Sequence, residues 1–455
     1  MRAAAMSVWV FINLLCFGMC GYLYLIWSQY WMYLEKQRLF SQVDAPQKNG
    51  FDLTYQESYV ARISNLTRLN KKRRRSAIGA FWSNERNTKA SISSVQFRPL
   101  TNIVRKENGG PRFPNIHKPV LEFDSDKYVC EDFSTAECEA RSKDFKQMVL
   151  KEFHRVLMGE ANVFKSGLDI HNQYDVKYKA SKKESSREEI YCALKKIDVE
   201  TVTAEDEPFR RLGFRIPGKP LHEGRIYNTC AVITSAGALL KSGLGQFIDS
   251  HDMVLRFNNA PTENYTVDVG SKTTFRILNS QVVSKPEYDF LHNPLFSNTS
   301  ILAWDPANYS STLDAWYQQP DFPLFTVYKK LLEDRPNADV HLLKPKVLWD
   351  LWGVLQDASP YRLRRNPPSS GFIGLWFSMR RCLRVRMFEY VPSARATRRC
   401  HYHSRADDAG CTLGVWHPLA QEKAVAEKLR DNSDVEVFQR GFIDVPGFTS
   451  GQIRC

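Results

Sequence analysis

The stretch "CAVITSAGALLKSGLGQFIDSHDMVLRF", Cys230 to Phe257, decides the fold class. "CAVIT" is a short apolar run rich in strand formers, "AGALLKSGLGQFI" can turn helical, and "MVLRF" is a second apolar strand. Strand, helix and strand at this spacing make a βαβ unit, and such units build a largely parallel sheet with helices on its faces. Further strands are expected at "TTFRILN" (273–279), "SILAW" (300–304), "DVHLLK" (339–344) and "RVRMFEYV" (384–391). A helix is expected over "SSGFIGLWFSMRRCL" (369–383), and residues 116–225 mix a helical pattern at "DFKQMVLKEFHRVL" (144–157) with polar loops. There is no internal repeat. The fold class is therefore α/β: one domain over 116–455 with a mostly parallel, Rossmann-like sheet flanked by helices.

Upstream of that domain the chain changes character twice. Residues 7–34, "SVWVFINLLCFGMCGYLYLIWSQYWMYL", carry no charge. About 20 apolar residues suffice to span a bilayer as a helix, and Trp27, Tyr30, Trp31 and Tyr33 suit an interfacial aromatic belt. A cleaved signal peptide is the competing reading, but the run is long and lacks a small-x-small cleavage site near its end. The expectation is a short cytoplasmic tail (1–6), a signal anchor (7–34), a basic luminal stem (35–115) and a luminal domain (116–455). The formal charge of +13 does not imply a nucleic-acid partner, because residues 35–120 hold 17 Lys/Arg against 6 Asp/Glu and so carry nearly all of the excess. "NKKRRRSA" (70–77) is the densest run, read as a solvated stem with a dibasic processing site as the alternative.

Cysteine usage agrees with an oxidising lumen. Cys16 and Cys20 lie in the anchor, and the remaining eight are Cys130, Cys138, Cys192, Cys230, Cys382, Cys400, Cys411 and Cys455. An even number outside the anchor fits disulfides. Sequons at Asn65, Asn264, Asn298 and Asn308 permit glycosylation there.

Several motifs could carry chemistry. The turn "TSAGAL" (234–239) has the small residues that let a backbone approach a phosphate at a helix start. Asn258 and Asn279 fall just past two predicted strands, where ligands gather in open α/β sheets. In "NPPSSGFIG" (366–374), Ser369 or Ser370 can cap the helix or bind an anion. In "VWHPLAQEKAVAEKL" (415–429), Pro418 suits a first helical position, which puts His417 at a helix entrance that disfavours the imidazolium. Asp124-Ser125-Asp126 is the one Asp-x-Asp pair of the kind that holds a divalent metal in many sugar-nucleotide transferases, but it lies near the stem rather than at a strand end. "CHYHSRADDAGCTLGVWHP" (400–418) gathers two cysteines and three histidines, yet the spacing of Cys400 and Cys411 lacks the close pairing of common zinc sites. A Cys400–Cys411 bridge is preferred there, and no metal site is expected.

Taken in order, these segments resemble the animal sialyltransferases, most closely the β-galactoside α2,6-sialyltransferases. "CAVITSAGALLKSGLGQFIDSHDMVLRFNNAPTENYTVDVGSKTTFRILNS" is similar to the large sialyl motif and "NPPSSGFIGLWFSMRRCLRVRMFEYVPS" to the small one. "HYHS" stands at the third motif and "HPLAQEK" at the very small one, while "LLKPKVLWDLWGVLQDASP" and "AWYQQPDF" resemble segments of the α2,6-galactoside branch. The likeness covers about residues 190–455.

The resemblance implies a variant A-type glycosyltransferase fold in the Golgi, metal-independent, with CMP-sialic acid as donor and no cofactor. It implies inverting transfer to the 6-hydroxyl of a terminal galactose or N-acetylgalactosamine on glycoprotein glycans. By position, Ser235, Asn258, Asn279, Ser369, Ser370, Gly371, Thr412 and Lys423 stand on the donor side. Gln281 and Asp321 match acceptor-side positions; Ser404 and Trp416 occupy such positions but depart from the branch pattern, as His401 does where the branch commonly has tyrosine. His417 matches the general base, which takes the acceptor's proton. His401, Lys423 and the serine hydroxyls are candidates to face the leaving phosphate, where donors are needed if no metal is used. The resemblance also implies the pairs Cys192–Cys455, Cys230–Cys382 and Cys400–Cys411, which leaves Cys130 with Cys138. Partners would be the donor, glycan acceptors, the Golgi membrane and, as a state to test, a second copy of the chain. The alternatives are a sialyltransferase of another linkage and a catalytically silent glycan-binding protein. His403 has no assigned role.

Overall fold

The computed structural model describes residues 125–455, apart from 166–171, 179–184, 217, 219–220, 222–224, 407–409 and 415. The tail, anchor and stem segments, with Asn65 and Asp124, lie outside the described residues. Among those described, no helix is long and apolar enough to cross a membrane.

Seven strands form one sheet: β1 (Tyr227–Ile233), β2 (Met253–Phe257), β3 (Phe275–Asn279), β4 (Ser300–Trp304), β5 (Val340–Leu342), β6 (Cys382–Phe388) and β7 (Phe442–Pro446), in the order β5-β4-β3-β2-β1-β6-β7. The first six are parallel. β7, which the sequence reading did not place, runs antiparallel at the β6 edge. Alternation splits the strand residues between two faces. Val232, Leu255, Ile277 and Leu302 join one buried cluster, whereas Ala231, Ile233, Val254, Leu278, Ile301 and Ala303 belong to clusters on the other face. Both faces being covered, the strands read as nearly continuous apolar runs. The helices Pro345–Asp357 and Ser370–Arg381 bury Trp349, Trp352, Trp376 and Phe377 in the first of those clusters.

The crossover between β1 and β2 is not the single helix its composition suggested. It is a 3-10 turn, Gly237–Leu239, and a short helix, Gly245–Asp249, separated by left-handed residues Lys241 (φ 64°) and Gly243 (φ 67°). The Asp268 carboxylate fixes that break by accepting from the amides of Lys241 (2.7 Å) and Gly243 (2.9 Å). Pro418 likewise stands at the cap of the Leu419–Leu429 helix, one position earlier than expected.

Four disulfides tie the domain: Cys130–Cys138, Cys192–Cys455, Cys230–Cys382 and Cys400–Cys411. The Cys230–Cys382 bridge joins β1 to the start of β6. From β1 the chain builds β2 to β5 on one side and places β6 on the other, so the loops leaving β1 and β6 diverge. In open α/β sheets, ligands gather at such a divergence at the carboxyl ends of the strands.

Candidate active site

The site is assembled from strand ends. Asn258 follows β2 in a left-handed conformation (φ 46°). Its Oδ1 accepts from the amide of Asn279 (3.1 Å), the last residue of β3. Asn279 Oδ1 in turn caps the Ser280–Ser284 helix through the Val282 amide (3.1 Å). Beneath them Arg276, buried within β3, donates to the carbonyls of Asn258 (2.8 Å) and Ala260 (3.1 Å). Burial lowers its pKa to about 10, which leaves it cationic at neutral pH. The sequence reading passed over this residue, although an arginine inside an apolar strand is itself a signal.

Asn279 lies opposite Trp304, the last residue of β4. Trp304 Nε1 donates to Ser370 Oγ at 2.9 Å, and its ring is 6.2 Å from that of His417. Trp416 packs edge-on against His417, with ring centroids 4.4 Å apart. His417 Nδ1 lies 2.8 Å from the carbonyl of Pro367. A carbonyl can only accept, so Nδ1 carries the proton and Nε2 keeps its lone pair. Burial, only partly offset by that hydrogen bond, drops the imidazole pKa to about 4. Removal from water, rather than the helix start, is the main cause of its neutrality. Asn366 holds the neighbouring turn by donating Nδ2 to the Trp416 carbonyl (2.6 Å), and its buried Oδ1 has no hydrogen-bond partner among the described residues.

Glu422, which the sequence reading did not single out, is the hub of the next group. Fully buried, it accepts from Ser369 N (2.8 Å), Ser369 Oγ (2.5 Å) and Tyr390 OH (2.7 Å). Ser369 also caps the Ser370–Arg381 helix, so its hydroxyl and amide are already engaged. Burial raises the Glu422 pKa, opposed by those hydrogen bonds and by Lys423. Lys423 donates Nζ to the Tyr390 carbonyl (2.5 Å), and burial lowers its pKa to about 8. Gly371 sits close against the Tyr390 ring, where a Cβ would come within 2.8 Å of Cε2. The signal available in the sequence was a glutamate about one turn into the helix that follows Pro418.

The turn after β1 meets the loop that carries His401. Ser235 accepts from the amide of Tyr402 (3.0 Å), and Ala236 bridges to His401. Thr234 Oγ1 donates to the carbonyl of Phe388 (2.9 Å), linking this turn to the end of β6. The fit is tight, because a Cβ on Gly237 would lie 2.3 Å from the Arg399 carbonyl oxygen. The His401 and His403 rings are parallel with centroids 5.3 Å apart.

The acceptor-side candidates divide. Gln281 is buried, and its Nε2 has no hydrogen-bond partner among the described residues. Asp321 is half-buried, with its amide donating to Asp305 Oδ2 (3.0 Å). Trp416 lies against His417, whereas Ser404 is buried in its own turn, accepting from the Ala406 amide (3.0 Å). Thr412 is half-buried on the short Gly410–Leu413 helix beside Cys411. Asn264, Asn298 and Asn308 are all exposed. No group of three or more His, Cys, Asp or Glu side chains among the described residues is disposed to hold a metal ion. A cavity of about 900 Å³ lined by Phe133, Lys143, Ser433 and Arg440 contains none of these site residues.

Residues 179–433 match the family described as glycosyltransferase family 29 (sialyltransferase). The chain belongs to that family. Among its relatives is a protein named "Beta-galactoside alpha-2,6-sialyltransferase 2" from Bos taurus, 43% identical over 290 residues that make up 62% of this chain and 58% of the relative. The protein of the same name from Danio rerio is 44% identical over 291 residues, 62% of this chain and 56% of that one. The match therefore spans little more than half the length of these curated relatives. A solved structure titled "Crystal Structure of a Mammalian Sialyltransferase" is 23% identical, covering 55% of this chain and 84% of that one; its TM-score of 0.34 is too low to argue from. For this family-29 chain, family membership rests on the sequence match and the site geometry on the contacts above.

Proposed function

We propose that the chain transfers sialic acid from CMP-sialic acid to the 6-hydroxyl of a terminal galactose or N-acetylgalactosamine on glycoprotein glycans. His417 carries this reading: a neutral imidazole with its proton on Nδ1 and an unprotonated Nε2, near the indoles of Trp304 and Trp416 and the serine loop. The names of the relatives support the donor class and the α2,6 linkage. The parallel sheet order supports a variant of the A-type glycosyltransferase fold.

The chemistry needs few parts. The donor's ketal carbon gains positive charge as CMP leaves, and the acceptor hydroxyl attacks from the opposite face, inverting the anomeric centre. Nε2 of His417 takes the hydroxyl's proton as the bond forms. The leaving phosphate gains negative charge, which Lys423 and His401 are proposed to face. Lys423 remains largely protonated below its pKa of about 8. Asn258 and Asn279 would hold the nucleotide at the strand ends, with Ser235 at the β1 turn. The reaction is proposed to need no metal, and the protein to be a single-pass Golgi enzyme with a luminal domain.

The test is incubation with CMP-sialic acid and an array of defined glycans, with and without a chelator. Transfer to a galactose or N-acetylgalactosamine terminus, undiminished by the chelator and abolished in His417→Ala, is expected. Binding of the donor without transfer to any acceptor would make this a glycan-binding protein instead.

A further inference from the structure

Asp305 follows directly on Trp304 at the end of β4, and its side chain is fully buried. Its Oδ2 accepts from Trp316 Nε1 (2.8 Å) and from the amide of Asp321 (3.0 Å). Its Oδ1 lies 3.4 Å from the donating amide of Phe322, and the nearby Ser280 hydroxyl favours the charged carboxylate. The polar groups around it belong to two segments. One opens the Ser280–Ser284 helix, where the next residue is Gln281; the other is the 316–322 stretch that carries Asp321. The strand end to which both are tied is the one whose Trp304 contacts Ser370 and His417.

We propose that Asp305 is a positioning residue for the glycan acceptor: its carboxylate locks Gln281 and Asp321 in register with His417. This rests on the transferase reading above and extends it to a residue that touches no substrate. The physical case is that a buried carboxylate is expensive unless its lone pairs are satisfied. Here they are met by neutral donors of the 316–322 segment, the Trp316 indole and the amides of Asp321 and Phe322, with the Ser280 hydroxyl close by on the other segment. Burial pushes the Asp305 pKa up to about 7, with Asp321 adding to the rise. A group retained against that cost ties together segments that are 41 residues apart in sequence, from Ser280 to Asp321. The orphaned Nε2 of Gln281 fits a side chain held ready for a hydroxyl.

The test compares full-length wild type with Asp305→Asn, whose amide can keep its oxygen toward the Trp316 and Asp321 donors only by setting its NH2 against the donating amide of Phe322. Steady-state transfer gives the KM for acceptor and donor, and CMP release without acceptor reports the donor side alone. The expected result is an acceptor KM raised about tenfold or more, with donor KM and acceptor-free hydrolysis within about twofold of wild type. If Asp305→Asn does not fold, Ser280→Ala removes only the hydroxyl beside the carboxylate and should raise acceptor KM about threefold. An unchanged acceptor KM in the folded variant, or a donor KM that rises in step, overturns the proposal while leaving the transferase reading intact. A wild type that neither transfers nor hydrolyses the donor overturns both.

Discussion

The state of His417 can be measured without any substrate. An imidazole at its usual pKa of 6.5 would be about three-quarters protonated at pH 6, whereas at about 4 it is about 1% protonated. Histidine-labelled protein, with His417→Ala to assign its signals among the 10 histidines, should show one ring neutral down to about pH 5. Its nitrogen shifts should place the proton on Nδ1. The same shift carries a stability term. The folded pKa lies below the unfolded one, so between about 4 and 6.5 the unfolded chain binds more protons, and stability rises with pH across that window. The contribution is fully present above about pH 6.5 and lost as pH falls toward 4. The linkage relation gives about 2 kcal/mol lost by pH 5, and partial exposure of the ring makes this an upper value. Urea unfolding at pH 7 and pH 5 should therefore show wild type losing about 1–2 kcal/mol more than His417→Ala. A His417 signal titrating near 6.5, or a proton on Nε2, would refute the proposed base.

Two other expectations follow from buried contacts. Glu422→Ala leaves Ser369 N, Ser369 Oγ and Tyr390 OH without their acceptor; at about 1–3 kcal/mol for each buried orphan, a loss of at least about 3 kcal/mol should appear as a lowered urea midpoint. Gly237→Ala drives a Cβ into the Arg399 carbonyl, and displacing that backbone should weaken binding of CMP about tenfold by calorimetry, equal to about 1.4 kcal/mol. Unaltered CMP affinity there would show that the turn after β1 is not part of the donor site.

The sequence by itself determined the parallel α/β sheet, because strands buried on both faces must be written as apolar runs that need no partner to be recognised. It also singled out Asn258, Asn279, Ser369 and His417, since each stands at a chain boundary marked by local periodicity. The cysteine count suggested disulfides and the short loop suggested Cys400–Cys411, but Cys192–Cys455 and Cys230–Cys382 came from likeness to a family and Cys130–Cys138 from what remained, for spacing alone leaves many connectivities open. What only the tertiary structure decided were contacts between segments far apart in the chain. Glu422 meets Ser369 across 53 residues, and Asp305 accepts from the Trp316 indole and the Asp321 amide of a later segment. The broken crossover at Lys241 likewise depends on Asp268, 27 residues on. Burial shifts the pKa of His417, Lys423 and Asp305, and burial belongs to the packed chain. Residue type and spacing locate a group that can do chemistry; its charge state is set by the neighbours that exclude water from it.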